Sequence, residues 1–327
     1  MSDWHIFRGG IAPHDGWDRL PSPPPWRRFE QPPPTDSPLP AWHPNDEERA
    51  RFLQTTPDTV RLVNAALYLR RPLLVTGKPG VSKSTLAMSI AYELGLGPVL
   101  RWPITSRSTL HEGLYSYDAV GRLQAVNVEG PETTLDIGHY LSLGPLGTAL
   151  LPRAKPRVLL VDEIDKSDID LPNDLLNQLE EGEFRIRELE RIAAKRSEVT
   201  VATADRGGTA TIEGGQVRCS AFPVIVLTSN RERDFPPAFL RRCLSLEIKP
   251  PTHEELSAIV KARLGAEMSA TAIDLIEKFL DRQLRADVAT DQLLNAVFLT
   301  FHTARKAGMD RDQISDDLFT DLSPATD

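Results

Sequence analysis

Short, continuous apolar runs alternate with amphipathic segments along residues 71–251. A strand that is buried on both faces of a sheet has such a run, whereas a half-exposed strand alternates apolar and polar residues. The runs are RPLLVTG, PVLRWPI, RVLLVDE, FPVIVLTSN and CLSLEIKPP, and helical segments such as STLAMSIAYELG and DLPNDLLNQLEEG lie between them. Strands connected by helices predict a parallel sheet. We therefore predict an α/β fold whose five-stranded parallel sheet is sandwiched by helices.

Other stretches have different patterns. Residues 46–70 are typical of a helix, and residues 185–221 are polar with the turn sequences DRGG and EGGQ, which predict a hairpin insertion. After Pro251, three amphipathic segments without strand-like runs predict a small all-helical domain. Its first segment begins with the Thr-x-x-Glu pattern of a capping box, at Thr252 and Glu255.

The first 44 residues contain eleven of the 27 prolines and four of the five tryptophans. Proline favours extended polyproline II, so this segment is expected to form neither helix nor sheet. Its many aromatics favour an arm that docks on the body or on a partner, with a semi-rigid spacer as the alternative. The predicted organisation is an arm at 1–44, an α/β domain at 45–251, a helical lid domain at 252–308 and an acidic tail at 309–327.

Composition narrows the functional classes. The net charge is −8 at pH 7, so the chain as a whole lacks the excess of basic residues that is typical of nucleic-acid-binding proteins. DNA remodelling or clamp loading is therefore a hypothesis with little support. Two cysteines, Cys219 and Cys243, provide neither a disulfide framework nor a metal-ligand spacing, and both are expected to be buried. No signal-peptide core is present, and no apolar run approaches the roughly 18 residues of a spanning helix. We expect a cytoplasmic protein without membrane or nucleic-acid partners.

The first predicted strand ends in the turn GKPGVSKST, residues 77–85. A strand–turn–helix of this kind directs backbone N–H groups and the positive end of the helix dipole at one point, which suits phosphate oxygens. The candidate nucleotide contacts are Gly77, Lys78, Pro79, Gly80, Val81, Ser82, Lys83, Ser84 and Thr85. Lys83 would reach the β- and γ-phosphates of ATP, and the Ser84 hydroxyl would ligate Mg²⁺.

Ser82 departs from the pattern G-x-x-x-x-G-K-[ST], which has glycine at this position. A side chain in left-handed backbone space costs about 1–2 kcal/mol, which a fold stabilised by about 5–15 kcal/mol tolerates. We expect Ser82 to weaken nucleotide affinity rather than abolish it. The alternative is a strand–turn–helix without a ligand.

Polar residues follow two later strands. Asp162 and Glu163 come directly after VLLV, and Asn230 ends VIVLTSN. Ligands of open α/β sheets bind at the carboxyl ends of the strands. Asp162 would hold Mg²⁺, Glu163 would deprotonate the attacking water, and Asn230 would position that water. The alternatives are two acids that cap a helix and an ordinary turn asparagine.

Two arginines end the segment RDFPPAFLRRC. Arg241 or Arg242 could insert a guanidinium beside the nucleotide of a neighbouring subunit and stabilise the charge that builds up during phosphoryl transfer. The alternative is a helix C-terminus that favours cations.

The ordered set GKPGVSKST, LLVDEID, LTSN and FLRRC, followed by a helical region, resembles the AAA+ ATPases, and the resemblance covers residues 45–307. YLSLGPLGTALL (residues 140–151) and SNRERDFPPAFLRRC are similar to the MoxR-type branch, including members encoded with von Willebrand factor A proteins in bacterial conflict or effector gene clusters. The resemblance implies a P-loop AAA+ core and a helical lid. It implies Arg242 as the arginine finger, with Arg241 as second choice. Relatives carry a sensor 2 arginine near Thr290, where this chain has none and Arg285 is a weak substitute.

The resemblance further implies an ATPase that forms a ring, predicted to be a hexamer, and remodels a protein partner such as a von Willebrand factor A protein. Ser82 and the missing sensor 2 arginine leave a second hypothesis open, a nucleotide-binding scaffold or switch that barely hydrolyses ATP.

Overall fold

A computed structural model describes residues 4–10, 12–29, 39–51, 53–129, 136–283, 288–303 and 317–319. The strands are β1 (Leu73–Thr76), β2 (Leu100–Pro103), β3 (Tyr115–Tyr117), β4 (Leu141–Leu143), β5 (Val158–Asp162), β6 (Glu183–Arg185), β7 (Glu198–Ala202), β8 (Thr209–Glu213), β9 (Gln216–Arg218), β10 (Val224–Ser229) and β11 (Leu244–Glu247). The helices are α1 (Pro44–Arg51), α2 (Pro57–Leu69), α3 (Lys83–Glu93), α4 (Leu110–Leu114), α5 (Ala119–Glu129), α6 (Pro145–Ala149), α7 (Leu171–Glu181), α8 (Arg187–Glu190), α9 (Pro237–Leu240), α10 (His253–Leu264), α11 (Ala266–Ala270), α12 (Ile273–Gln283) and α13 (Thr290–Thr303).

The five predicted strands form one sheet in the order β11-β1-β10-β5-β2, and every neighbouring pair is parallel. The α/β fold with a five-stranded parallel sheet flanked by helices is confirmed. Continuous apolar runs suit β1, β5 and β10, which are covered on both faces, whereas the edge strands β2 and β11 have exposed residues between buried ones.

Alternate residues of the central strands contribute to two hydrophobic clusters, one on each face. Val158 and Leu160 of β5 pack with residues of α2 and α3, whereas Leu159 and Val161 pack with residues of α6 and α7. Because successive side chains of a strand point to opposite faces, one apolar run supplies both clusters. Each fully buried aliphatic side chain contributes about 1.5–3 kcal/mol. The carboxyl ends of the strands are left for polar residues.

A second sheet covers part of one face, with strand order β3-β4-β7-β8-β9-β6. The predicted hairpin is confirmed as β7 and β8, which pair antiparallel and are joined through the DRGG turn. The remaining strands of this sheet were not predicted from the sequence. Gly147 in α6 shows how closely this layer packs, because a Cβ there would lie 1.9 Å from the carbonyl oxygen of Leu114.

The helical prediction for residues 46–70 was wrong in one respect, because the segment forms two helices. α1 ends at Arg51 and α2 starts at Pro57. The Thr56 side chain caps α2 by accepting a hydrogen bond from the Thr59 N–H at 3.2 Å. A capping threonine followed by proline is a helix-start signal, which explains the interruption.

The described residues after Pro251 form helices, as predicted, with α10, α12 and α13 sharing a hydrophobic cluster and the short α11 between α10 and α12. Thr252 and Glu255 form the predicted capping box. Phe319 is buried against the ring of Phe279, with a centroid distance of 5.4 Å. The domain boundaries remain predictions, and most of the acidic tail lies outside the described residues.

Both cysteines are buried, as expected, and burial raises the pKa of each thiol to about 12. Cys219 and Cys243 therefore act as small apolar side chains in the core beside the second sheet. Among the described helices, none is both long and apolar enough to cross a membrane.

The start of the N-terminal arm is part of the folded body. Ile6 and Phe7 are buried in the cluster that contains α2 and α3. The Asn64 side chain of α2 accepts hydrogen bonds from the N–H groups of Ile6 at 2.6 Å and Phe7 at 3.0 Å. Docking of the arm is thus confirmed for the described part, although its tryptophans contribute unequally. Trp17 packs against the same cluster, while Trp26 is 73% exposed.

A second attachment of the arm is the carboxylate of Glu93, the last residue of α3, which is fully buried. It accepts the N–H groups of Arg8 at 2.5 Å, Gly9 at 3.1 Å and Gly10 at 2.7 Å, and His14 Nε2 lies 3.1 Å from it. Hydrogen bonds to a charged acceptor are the strong ones. The carboxylate therefore fixes the arm to the end of α3.

We predict that Glu93→Ala lowers the free energy of unfolding by roughly 3–5 kcal/mol, because it removes a buried carboxylate that accepts three partly buried N–H groups of the arm. Chemical denaturation followed by circular dichroism measures the change. The matched control is Glu47→Ala, which removes an exposed pair with Arg51 and should cost less than about 0.5 kcal/mol. Equal effects of the two substitutions would contradict this role of Glu93.

Candidate functional site

Strand register brings the predicted site residues together. Thr76 of β1 pairs with Ser229 of β10, so Gly77 and Asn230 leave the sheet side by side. Leu227 of β10 pairs with Val161 of β5, which places Thr228 beside Asp162. Residues that are far apart in sequence thus meet at the carboxyl edge of three adjacent strands. This edge is where ligands of open α/β sheets bind.

The turn between β1 and α3 has the backbone that its sequence predicted. Ser82 lies in the left-handed region with φ of 61°, although it is not glycine. Gly80 has φ of 77°, and a Cβ there would lie 2.2 Å from the Cβ of Ala289, just before α13. Pro79 and Val81 lie in the same turn between β1 and α3. The turn is therefore strained at position 82 and closely packed at position 80.

Lys83 lies at the centre of the site, and the residue is 8% exposed. It donates to the carbonyl oxygens of Gly77 and Lys78, each at 2.8 Å, and to Asn230 Oδ1 at 2.7 Å. Burial lowers the pKa of Lys83 below its usual value of 10.5, while nearby carboxylates, first that of Asp165, raise it. Lys83 and Asn230, which are 147 positions apart in sequence, are thus in direct contact.

Ser84 and Asp162, the two residues predicted to bind Mg²⁺, are in contact. Ser84 Oγ donates to Asp162 Oδ1 at 2.7 Å, and the Thr228 hydroxyl donates to the same oxygen at 2.6 Å. Hard oxygen donors suit Mg²⁺, which is usually bound by one or two protein groups together with substrate phosphates and water. The donor set fits that ion. Among the described residues, no group of three or more His, Cys, Asp or Glu side chains could hold a metal alone.

Asp165 is a central residue of the site that the sequence analysis missed. Its side chain is 3% exposed, and Oδ2 accepts the backbone N–H groups of Asn230 at 2.8 Å and Glu232 at 3.1 Å. It thereby fixes the backbone from which the Asn230 amide points at Lys83. The sequence signal that could have identified Asp165 was its position in the motif DEID, three residues after Asp162. Thr228, two residues before Asn230, was missed in the same way.

Glu163 also has a left-handed backbone, with φ of 59°. Its N–H donates to the Thr228 hydroxyl at 2.8 Å, so the hydroxyl connects both acids that end β5. The Glu163 carboxylate is 42% exposed and forms an ion pair with Lys166 at 2.7 Å. Its charge raises the pKa of Lys83, which places it within electrostatic reach of the buried ammonium.

The two predicted finger arginines make their contacts away from Lys83. Arg242 Nε pairs with Glu180 Oε1 of α7 at 2.6 Å, and its Nη1 donates to the carbonyl oxygen of Ala238 at 3.0 Å. Arg241 is exposed at the end of α9. The structure therefore does not bring Arg241 and Arg242 into the site of their own chain.

A cavity of about 330 Å³ adjoins the glycine turn. It is lined by the turn and by Thr85 of α3, by the start of α2, by the linker after β11, and by α10 and α13. Thr290, at the start of α13, and Arg263 of α10 contribute side chains from the helical part. Arg285, the weak substitute for a sensor 2 residue, lies outside the described residues. The cavity has the size of a small-molecule site.

Comparison with known families identifies this arrangement. The sequence profile of the AAA domain (dynein-related subfamily) matches residues 72–243, a range that includes every residue predicted for the site. No curated protein sequence matches the chain significantly. Because the family match extends over more than half of the chain and contains the buried lysine, the acidic pair and the strand-end asparagine, the chain belongs to the AAA+ proteins, with a nucleotide-binding AAA domain of the dynein-related subfamily.

Proposed function

We propose that this protein hydrolyses ATP, assembles as a ring, predicted to be a hexamer, and uses hydrolysis to remodel a protein partner. The proposal of ATP hydrolysis rests on one observation, the meeting of four predicted site residues at one edge of the sheet. Lys83 contacts Asn230 at 2.7 Å, and Ser84 contacts Asp162 at 2.7 Å. MoxR-like ATPases fall within the dynein-related subfamily, which supports a MoxR-type role. A von Willebrand factor A protein is the partner class that we propose.

Different residues of the site would bind the phosphates, hold Mg²⁺ and activate the attacking water. The backbone of the turn and the N-terminus of α3 bind the phosphates, and Lys83 balances their charge. Ser84 and Asp162 would hold Mg²⁺, which neutralises developing charge on the phosphates. Water attacks the γ-phosphorus while the bond to the bridging β–γ oxygen breaks, and Glu163 accepts the proton of that water. The Asn230 amide orients the water without adding negative charge. The products are ADP and phosphate.

A ring explains the position of Arg242. Its guanidinium lies at Glu180, away from the Lys83 site, so it cannot serve its own nucleotide without leaving that ion pair. An arginine supplied by a neighbouring subunit stabilises the transferring phosphoryl group and accelerates hydrolysis by about 10³–10⁵ in other nucleotide hydrolases. We therefore assign Arg242 to the next subunit's site, with Arg241 as second choice.

One observation favours the second candidate, a nucleotide-loaded scaffold or switch with little hydrolysis. Glu163 is engaged by Lys166, and a paired carboxylate is a poorer base for water. Turnover measurements separate the two functions, because a switch would change oligomeric mass with nucleotide while releasing negligible phosphate. We favour hydrolysis because the residues proposed to bind phosphate and Mg²⁺ and to activate water lie at one edge of the sheet.

Ser82 allows the strain in the turn to be tested. We predict that Ser82→Gly raises nucleotide affinity several-fold and raises the free energy of unfolding by up to about 1 kcal/mol, because glycine adopts left-handed backbone without strain. Fluorescent-nucleotide titration and denaturation measure the two quantities. Ser82→Ala is the matched control, since it removes the hydroxyl and keeps the strain. A lower affinity for Ser82→Gly than for wild type would show that the serine side chain contributes to binding.

Two substitutions separate nucleotide binding from hydrolysis. We predict that Lys83→Ala abolishes binding, because it removes the cation that faces the phosphates. Glu163→Gln should bind ATP with unchanged affinity and lose turnover by roughly 10²–10⁴-fold, because the amide cannot accept the proton. Titration and phosphate release are the measurements. Full turnover by Glu163→Gln would refute the role of Glu163 as base.

A third substitution tests the use of arginine between subunits. We predict that Arg242→Ala binds ATP normally and hydrolyses it about 10³-fold more slowly or worse. Mixing Arg242→Ala with Glu163→Gln should restore hydrolysis, because the second variant supplies an intact arginine to the intact pocket of the first. Normal turnover by Arg242→Ala alone, or no restoration on mixing, would rule out the ring mechanism.

A further inference from the structure

The N-terminal arm contacts the helix that carries the partner of Arg242. Arg27 is 7% exposed, and its Nη1 donates to the carbonyl oxygens of Leu179 and, at 3.2 Å, of Glu180. These carbonyls belong to the last turn of α7, where backbone acceptors have no partner within the helix. The Arg27 guanidinium also lies 4.8 Å from the centre of the Phe222 ring. The arm thus provides the groups that complete the C-terminal end of α7.

The Arg27 contacts are supported by packing around them. The Phe29 ring stacks on Phe222 with a centroid distance of 6.0 Å. Gly182, which ends α7 with φ of 64°, lies so close that a Cβ there would be 2.9 Å from Phe29. Burial lowers the pKa of Arg27, and the charge of Glu180 raises it. Arg27 is therefore buried and held by several contacts, rather than lying on the surface.

The same turn of α7 orients the arginine assigned to the neighbouring site. The Glu180 carboxylate pairs with Arg242 Nε at 2.6 Å, so two successive residues of α7 connect the arm with the finger. The Arg71 guanidinium holds the backbone of the same loop, donating to the carbonyl oxygens of Arg241 and, at 3.2 Å, of Arg242. Two of the three guanidinium nitrogens of Arg242 are engaged within the chain. Its direction is thus set by α7 and by α9, which ends two residues before it.

We propose that Arg27 is a positioning residue for Arg242, acting through the end of α7 and Glu180 on hydrolysis in the adjacent subunit. The inference rests on the proposed function, because it needs Arg242 to act between subunits. The AAA domain match begins at residue 72, so Arg27 belongs to a segment outside that domain. The arm is then a component of the subunit that donates the arginine, and loosening it slows the neighbour's turnover without changing nucleotide binding.

The mixing experiment tests whether Arg27 acts in the subunit that donates the arginine or in the subunit that hydrolyses ATP. In a mixture of full-length Glu163→Gln and Arg242→Ala subunits, the former donates the arginine and the latter carries the working pocket. Arg27→Ala is introduced either into the donor or into the recipient, and phosphate release is measured. We expect at least about tenfold slower hydrolysis with the change in the donor, and less than about twofold change with it in the recipient.

Matched variants separate positioning from folding. Arg28→Ala alters the adjacent exposed arginine and should leave the mixture unchanged in both placements. Arg27→Lys keeps a donor for the carbonyls and should retain most of the rate. Glu180→Gln in the donor should resemble Arg27→Ala, and it serves as the test variant with Arg27→Lys if Arg27→Ala does not fold. Nucleotide affinity of each donor variant is expected to match that of Glu163→Gln alone.

The outcomes of the mixing experiment distinguish a positioning role of Arg27 from a general role in folding. Equal loss in both placements would show a general folding role for Arg27 and overturn the inference, as would an unchanged rate with the substitution in the donor. Failure of the starting mixture to hydrolyse ATP would overturn the proposed use of arginine between subunits, and the inference with it. Hydrolysis by the starting mixture that falls only with the donor substitution supports both.

Discussion

The buried ammonium of Lys83 is the constraint on which the site depends. Removing a charge from water is costly unless several groups of opposite polarity surround it. Two carbonyl oxygens of its own turn, the amide oxygen of Asn230 and the nearby acids provide that environment. These partners come from three segments, so the lysine requires the turn, β5 and β10 to be in register. The same charge that needs these partners is the one that phosphates attract.

Three non-glycine residues in this region have left-handed backbone, and two of them, Ser82 and Glu163, belong to the predicted site, while the third, Arg231, follows Asn230. Ser82 directly precedes Lys83, and Glu163 is the predicted base. Such conformations cost about 1–3 kcal/mol and persist where the surroundings determine them. Around Glu163 the determining contact is its N–H bond to Thr228, and around Ser82 it is the start of α3. The serine is therefore compatible with an intact turn, because the helix and strand on either side hold the backbone.

The sequence predicted the parallel sheet and most of the site because both depend on local signals. An apolar run such as Val158–Val161 indicates a buried strand without knowledge of its neighbours. The second sheet was missed because β3, β4, β6 and β9 have three residues each, too few for periodicity. Asp165 was missed because its function depends on the backbone of Asn230, 65 positions later. Arg27 and Glu93 were missed for the same reason, since their partners lie 152 and about 80 positions away.

The arm is attached to the ends of the two helices that lead away from the nucleotide site. α3 begins with Lys83 at the turn and ends with Glu93, which binds the arm, so the two lie about 15 Å apart along the helix axis at about 1.5 Å per residue. α7 follows the acids of β5 and ends where Arg27 binds. Packed helices move as rigid elements, so a shift at either N-terminal end reaches the arm. Because Arg242 pairs with the end of α7, the arm contacts both α3, which begins at the glycine turn, and α7, which holds Arg242. A proline-rich segment that fixes both ends would act on the proposed nucleotide turnover without touching the nucleotide.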